Sequence, residues 1–390
     1  MSFFRKMSRE RKIVLAVIAF FFFILFSVAG TAYYLVVSNY NNIGNLLKVA
    51  SYLRRDALQP LTFRQLVDGA IKGMVGALED PYSTYLEPST YRELSERMRG
   101  SFGGVGIYVG VKNNLITVIS PIKGSPAEKA GIMSGDVIVA IDGKETRGMS
   151  LDKAVELMRG PEGTKVKVTV HRQGVAKPLE FVLTRRIIEV PTVEWKMVEG
   201  TRIGYLHIAM FNTRTPRETE EALRDLKKQG MEALILDLRD NPGGELEAAV
   251  ETAGYFVPKG PVVYIDYRRG SDEVMEARGG NINLPLVVLV NEGSASAAEI
   301  VAGAIKDRGQ GTLVGTRTFG KGVVQSVFQL YDGAGLKLTT ARYLTPARTD
   351  INKKGVQPHV VVKQPEGEAE DLQLKKAVEI LQTKYLRAAG

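Results

Sequence analysis

The chain predicts an α/β fold, and three observations carry that prediction. Between Ile188 and Lys363, short apolar runs rich in β-branched residues alternate with stretches of helical periodicity, the pattern of a layered domain. Ile203 to Ile208, Ala233 to Leu238 and Leu286 to Val290 read as strands, and the last is apolar throughout, as in a parallel strand buried on both faces. Pro216 to Gln229, Gly244 to Tyr255 and Ser296 to Lys306 read as helices.

The elements follow in chain order. The 390 residues suffice for two or three domains with a real core. Much of the net charge of +9 sits in a basic leader, since Met1 to Lys12 holds five cations against one Glu, so no nucleic-acid partner is implied. The chain has 0 cysteines, which excludes disulfides, thiolate catalysis and Cys-based metal sites. Residues 13–37 carry no charge and are long enough to cross a bilayer as a helix, with the leader held on the cytoplasmic side. Ser27-Val28-Ala29 is a tolerable signal-peptide cleavage site, but the apolar run continues past it through Val37, which favours an anchor. On either account the bulk of the chain is exported.

Asn41 to Leu86 reads as helical, with Phe63, Leu66, Val67, Ala70, Ile71, Met74, Val75 and Leu78 in one apolar stripe. In Phe102 to Ile107, the run Gly104-Val105-Gly106-Ile107 before a strand offers closely spaced backbone N–H groups able to hold a terminal carboxylate, while a strand edge pairs with an extended peptide. Leu151 to Met158 is helical. Asp237 to Gly244 contains Asn-Pro-Gly-Gly after an apolar strand, first of all a turn. Ser294 and Ser296 lie where a strand hands over to a helix, so a hydroxyl there either caps the helix or faces N–H groups that would stabilise an anion. Lys321 stands between Gly320 and Gly322, ordinarily a solvated turn, before two runs around Asp332-Gly333-Ala334-Gly335 that form a hairpin. Asp371 to Tyr385 places Leu374, Val378, Leu381 and Tyr385 on one helical face, packing on the core or on a second subunit.

Leu284 to Lys306 and Thr316 to Gln325 together resemble the catalytic signature of the carboxyl-terminal processing (tail-specific) serine proteases. That resemblance makes Ser296 the nucleophile, Lys321 the base and Gln325 the residue that orients the lysine. It places the loop Asp237 to Gly244 opposite the nucleophile, so that Gly243 or Gly244, with the backbone N–H of Ala297, forms the oxyanion hole. Arg239 and Asp240 brace that loop. The chemistry demands desolvation, because an ordinary ammonium cannot deprotonate a serine at neutral pH, whereas burial lowers a lysine's pKa. Histidine is then dispensable, and neither His171, His207 nor His359 has an acidic partner in an obvious triad relation.

Ser101 to Arg185 resembles a PDZ domain of the bacterial protease type, through FGGVGI and then SPAEKAGIMSGDVIVAIDG, Ser125 to Gly143. Asp80 to Leu86 and Gly355-Val356-Gln357-Pro358 are also similar to the family. The resemblance implies a crotonase-like layered α/β core with a preceding PDZ domain and helical ends. The expected divisions are a leader at 1–12, an anchor at 13–37, a helical and dimerising region at 38–97, the PDZ domain at 98–187, the protease core at 188–365 and a C-terminal helix at 366–390. Expected partners are protein or peptide substrates bound through their C-terminal tails, the membrane through residues 13–37, a second copy of the chain in a dimer, and an activator or adaptor protein. No cofactor or metal is expected, and the catalytic part lies outside the cytoplasm of a bacterial cell.

The expected function is a membrane-anchored serine endopeptidase with a Ser-Lys dyad that cleaves near the C-termini of proteins, the PDZ domain recognising the tail and gating the site. The alternative is a catalytically inactive membrane-tethered PDZ scaffold, against which the intact set of Ser296, Lys321 and Gln325 speaks. A crotonase-type enzyme acting on coenzyme A thioesters shares the helix-terminus oxyanion logic, but the nucleophilic serine, export and the PDZ segment argue against it.

Overall fold

The computed structural model describes residues 9–38, 40–280, 282–365 and 367–383, with side chains in the first two helices described at 13–14, 16–31 and from 42 onward. The chain divides into two compact units, one ending at Glu79 and one starting at Asp80.

The first unit holds α1 (Arg9–Ser38), α2 (Tyr40–Arg55) and α3 (Phe63–Gly76). The single helical stretch expected over Asn41 to Leu86 is interrupted at residues 56–62, where Pro60 lacks an N–H and pushes its predecessor out of the α region. Helix α3 restarts on a capping box in which the Thr62 hydroxyl accepts from the Gln65 N–H (3.2 Å) and the Gln65 side chain accepts from the Thr62 N–H (2.9 Å). Of the apolar stripe predicted from Phe63 to Leu78, all but Leu78 lies on this helix, and Phe63, Leu66, Val67 and Ala70 line a cleft of about 960 Å³ together with Leu46 and Leu53. The expected membrane span lies within α1, and its last residues fall outside those whose side chains are described. Among the described residues, no helix is long and apolar enough to cross a membrane.

The second unit begins with a turn at residues 80–83, β1 (Thr84–Leu86), α4 (Pro88–Arg99) and β2 (Ser101–Gly104). A small barrel-like domain follows: β3 (Ile107–Lys112), β4 (Leu115–Pro121), α5 (Pro126–Lys129), β5 (Val137–Ile141), β6 (Lys144–Glu145), α6 (Leu151–Met158), β7 (Lys165–His171) and β8 (Leu179–Thr184). Its strands order β3-β4-β5-β7-β8, with β6 paired to β5, so one side of β3 is a sheet edge. Then β9 (Arg186–Glu189) returns to pair with β2, closing the domain at its base. The domain has its own core, including Val105, Ile116, Val118, Ile138, Val168 and Met158.

The larger domain comprises β10 (Val193–Met197), β11 (Ile203–Ile208), α7 (Thr215–Lys228), β12 (Ala233–Asp237), α8 (Leu246–Ala253), β13 (Gly260–Tyr267), β14 (Glu273–Ala277) and β15 (Leu286–Val290). It continues with α9 (Ala297–Asp307), β16 (Thr312–Gly315), β17 (Val323–Gln329), β18 (Gly335–Leu344), β19 (Val360–Val361) and α10 (Leu372–Leu381). Its main sheet orders β10-β11-β12-β15-β16-β19, parallel from β11 to β19, as the apolar runs predicted. Helices α7, α8 and α9 cover one face and α10 the other, giving a layered α/β domain. In the second sheet, the predicted hairpin β17–β18 extends through β13 to β14, and β1 pairs with the start of β18.

The C-terminal helix packs on the core. Ala377 and Leu381 of α10 are buried against Ile235, Val287 and Leu289, while Tyr385 of the predicted stripe lies outside the described residues.

Candidate active site

The site starts from a sharp turn between β15 and α9. The turn is locked to the loop after β12: the Ser294 hydroxyl donates to the Leu238 carbonyl (2.7 Å) and accepts from the Asn291 N–H (3.0 Å), and the Ala295 N–H donates to the Asn241 carbonyl (2.9 Å). Ser294 is therefore structural. Ser296 follows with φ 53° and ψ −116°. A non-glycine residue there is strained by about 1–3 kcal/mol and persists only when its surroundings over-determine it. They do so here, since the Glu299 carboxylate accepts from the Ser296 N–H (2.9 Å) and the Tyr343 hydroxyl donates to its carbonyl (3.1 Å). A strand, a strained serine and a helix in succession form the geometry that lifts a nucleophile above a sheet. The N–H groups of Glu299 and Ile300 donate to the Ser296 carbonyl (2.8 and 3.1 Å).

Lys321 does not occupy a solvated turn. A Cβ on Gly320 would fall 2.9 Å from the Gly355 nitrogen and one on Gly322 would fall 2.7 Å from the Asn352 nitrogen, so the bare residues on either side let residues 352–355 press against the lysine loop. The Gly355-Val356-Gln357-Pro358 segment singled out by sequence supplies part of that wall, with the Val356 N–H donating to the Thr318 hydroxyl (2.7 Å). Burial lowers the Lys321 pKa, Lys337 lowers it further, and Glu299 and Asp80 pull the other way. Its Nζ lies 5.1 Å from the centroid of the Tyr82 ring. Among the described residues, no hydrogen bond joins this Nζ to the Ser296 hydroxyl. Gln325 lies on β17 just after a bulge, opposite Thr339, and its amide donates to the Val323 carbonyl (3.3 Å) rather than meeting the lysine.

Sequence reasoning gave Glu299 no role, although it stands three residues after Ser296, the spacing of a capping box. Fully buried, its carboxylate accepts from the N–H groups of Ser296 (2.9 Å), Gly320 (2.8 Å) and Lys321 (2.8 Å) and from the Thr318 hydroxyl. One side chain thus binds both catalytic candidates by their backbones.

The Asn-Pro-Gly-Gly turn faces the serine. With φ +98°, Gly243 sits so close that a Cβ would fall 2.8 Å from Ser296 Cβ and 2.9 Å from the Ala297 nitrogen. Its own N–H donates to Asn241 Oδ1 (2.9 Å), while Asn241 Nδ2 donates to the Ile208 carbonyl (2.7 Å). A Cβ on Gly244 would fall 1.9 Å from the Phe211 carbonyl oxygen. Among the described residues, the N–H groups of Gly244 and Ala297 have no protein acceptor, which leaves both available to an anion. Arg239 braces this loop as expected, binding Asp237 (2.6 Å) and Asp371 (2.8 Å) at the start of α10. Asp240, at φ 56°, accepts from Asn291 Nδ2 (2.9 Å). His207 is a strand side chain on β11, lining a polar crevice with Tyr205 and Asp237, whose carboxylate is engaged by Arg239 and by the Tyr205 hydroxyl (2.8 Å).

In the smaller domain, Gly104, Val105 and Gly106 are buried and Ile107 opens β3. The Val105 carbonyl accepts from the Ala127 N–H (3.0 Å), and that of Gly106 from the Ile122 N–H (2.9 Å) and the Ser125 hydroxyl (3.0 Å). This loop ends a groove of about 230 Å³ between the open edge of β3 and α6, lined by Phe102, Ile107, Val109, Val155, Met158 and Arg159.

Residues 202–362 match the model of peptidase family S41, 117–172 that of a PDZ domain, and 32–90 that of the activating protease CtpB N-terminal domain. A carboxyl-terminal-processing protease of Synechocystis sp. is 42% identical over 79% of this chain and 73% of its own length. The carboxy-terminal processing protease CtpA of Bacillus subtilis is 42% identical over 82% of this chain and 69% of its own. A solved photosystem II D1 C-terminal processing protease aligns with TM-score 0.48 and 38% identity, over 80% of this chain and 85% of its own. The chain belongs to the carboxyl-terminal processing proteases of peptidase family S41 and is a serine-type peptidase carrying a PDZ domain.

Proposed function

We propose that the protein is a membrane-anchored endopeptidase in which Ser296 and Lys321 form a catalytic dyad acting near the C-termini of protein substrates. The observation that carries this is the shared seat on Glu299, which holds the backbones of both residues in one buried cluster. Neutral Lys321 takes the proton of the Ser296 hydroxyl as its oxygen attacks the peptide carbonyl, and the resulting ammonium returns the proton to the departing amine. The tetrahedral oxyanion is received by the Ala297 N–H together with that of Gly244 as it stands, or of Gly243 once it leaves Asn241. Water then hydrolyses the acyl-enzyme by the same route, and Gln325 steadies the lysine when the latter turns toward the serine.

The PDZ groove captures the substrate tail: β3 offers its open edge to an extended peptide and Gly104-Val105-Gly106-Ile107 offers N–H groups to the terminal carboxylate. The groove's apolar lining favours an apolar last residue. Residues 13–37 anchor the protein in a bacterial membrane with the catalytic part outside the cytoplasm. The helices before Asp80 support a dimer, and an activator or adaptor protein bears on the PDZ gate.

Three forms of the full-length protein, wild type, Ser296→Ala and Lys321→Ala, incubated with fluorescently labelled casein, test the dyad. Cleavage by wild type alone, at least about a thousandfold above either variant, is expected. Equal cleavage by all three would refute the dyad, and none in any would favour a PDZ scaffold. Mass spectrometric mapping of the products decides whether cuts cluster at C-termini.

A further inference from the structure

We propose that the face of Tyr82 is a seat for protonated Lys321, holding the ammonium off Ser296 and releasing it once the proton is lost. This deepens the assignment of Lys321 as base and rests on it. Nζ stands 5.1 Å from the ring centroid, within the range at which an aromatic face attracts a cation. The attraction acts on the ammonium and is all but absent for the neutral amine, so the seat selects the protonation state that cannot catalyse. The turn that carries the ring is fixed in place. The Tyr82 N–H donates to Asp80 Oδ1 (3.1 Å), the Ser83 hydroxyl donates to the same carboxylate, and the Thr339 N–H of β18 donates to the Ser83 hydroxyl (3.0 Å). Directly after this turn, Thr84 to Leu86 pair with Gly335 to Lys337. The turn is thereby pinned to the strand that backs the lysine.

Other charged groups face Lys321 from each side. Asp80 lies on the turn itself, Glu299 on α9 and Lys337 on β18. Both Glu299 oxygens already receive N–H donors of the serine and lysine segments, the Asp80 oxygens take the Tyr82 N–H and the Ser83 hydroxyl, and Lys337 repels the ammonium; both carboxylates attract the cation through space, and among the described residues none of the three forms a direct bond to it. The aromatic face is the soft acceptor left to it. Burial and Lys337 move the lysine toward its neutral form, and Tyr82 opposes them. Loss of the proton removes the reason to stay on the ring, and the amine becomes able to turn to the serine hydroxyl.

The test is the pH profile of kcat/KM for labelled casein with the full-length protein and its Tyr82→Phe, Tyr82→Leu and Tyr82→Trp variants. Tyr82→Phe keeps the ring and should leave the midpoint of the acid limb where wild type has it. Tyr82→Leu removes the ring and should move the limb to lower pH, raising the neutral fraction of Lys321 about two- to fivefold at a fixed pH on that limb, while Tyr82→Trp should move it to higher pH. A Leu limb that stays put, or a Phe limb that moves with it, overturns the proposal. A second readout needs no catalysis: NMR titration of carbon-13-labelled lysine in the Ser296→Ala background, with the Lys321 signal assigned by Lys321→Arg, should show the same ordering. If Lys321→Ala still cleaves casein, the dyad fails, yet the titration still judges the seat. If Tyr82→Leu does not fold, the Phe and Trp variants decide, and a Trp midpoint no higher than that of Phe sinks the proposal.

Discussion

Glu299 is a buried carboxylate whose acceptor capacity is filled by backbone N–H groups and a hydroxyl rather than by a cation. Such charge-assisted bonds are short and directional, so the side chain fixes where the serine elbow and the lysine loop lie relative to each other. Replacing it by Gln keeps the volume but turns an NH2 group toward donors that then lack an acceptor. We expect Glu299→Gln to lose about 1–3 kcal/mol of stability by chemical denaturation and to lower kcat at least about tenfold with KM little changed, because the damage falls on alignment. Loss of binding with kcat intact would count against this role. The pH dependence follows from Lys321 itself: its pKa is lowered, so the neutral amine prevails above that value, and kcat/KM should fall as pH drops through it, with the midpoint below the ordinary lysine value near 10.4. Ser296 and Lys321 were singled out in sequence through the family resemblance, and both have their backbone N–H groups bound by Glu299. Glu299 was not singled out, since its work depends on Thr318 to Lys321 folding back onto α9. The strain at Ser296 left no trace either, as serine does not advertise a positive φ.

Helix α10 shows the same division at the scale of an element. Its apolar face could be read from Leu374, Val378 and Leu381, but whether that face met the core or another subunit is decided by contacts far away in the chain. Asp371 caps the helix by accepting from the Leu374 N–H (2.9 Å), and its oxygens also take Arg239 Nη1 (2.9 Å) and Nη2 (2.8 Å) from the loop that faces Ser296. Burial alone would raise the Asp371 pKa, yet Arg239 and the helix amides together hold it below the usual carboxylate value. Asp371→Ala should therefore cost about 1–3 kcal/mol at pH 7, through a lost cap and a half-paired arginine. Because the folded pKa is depressed, that contribution is complete above the unfolded value near 3.9 and fades as pH falls through the folded one. Urea denaturation at pH 7 and at pH 3 should show the gap between wild type and variant shrinking at the lower pH. A gap independent of pH would assign the effect to packing. The interruption after α2 was legible too, since Pro60 marks it, but the stripe resuming at Phe63 drew the helix across it.

Across the whole molecule, the parts that fold around their own cores were the most readable. The PDZ domain and the larger α/β domain each write their own periodicity, and each has a separate hydrophobic cluster to satisfy. The proposed anchor belongs to this scale because an anchor sets where a chain works. Residues 13–37, which carry no charge, lie on the helix Arg9–Ser38. Phe20, Phe21, Phe22, Phe23 and Phe26 are all exposed, a row of aromatic surface that water would not favour. Every residue assigned to catalysis or to tail binding lies beyond Asp80. Deleting residues 1–37 should therefore move the protein from the membrane pellet to the supernatant after cell fractionation, while casein cleavage by the purified product stays within about threefold of the full-length protein. A truncated protein that still sediments with membranes under high salt would place the anchor elsewhere, and full-length protein recovered in the supernatant with its leader intact would mean that the phenylalanine row seeks a protein partner instead of lipid.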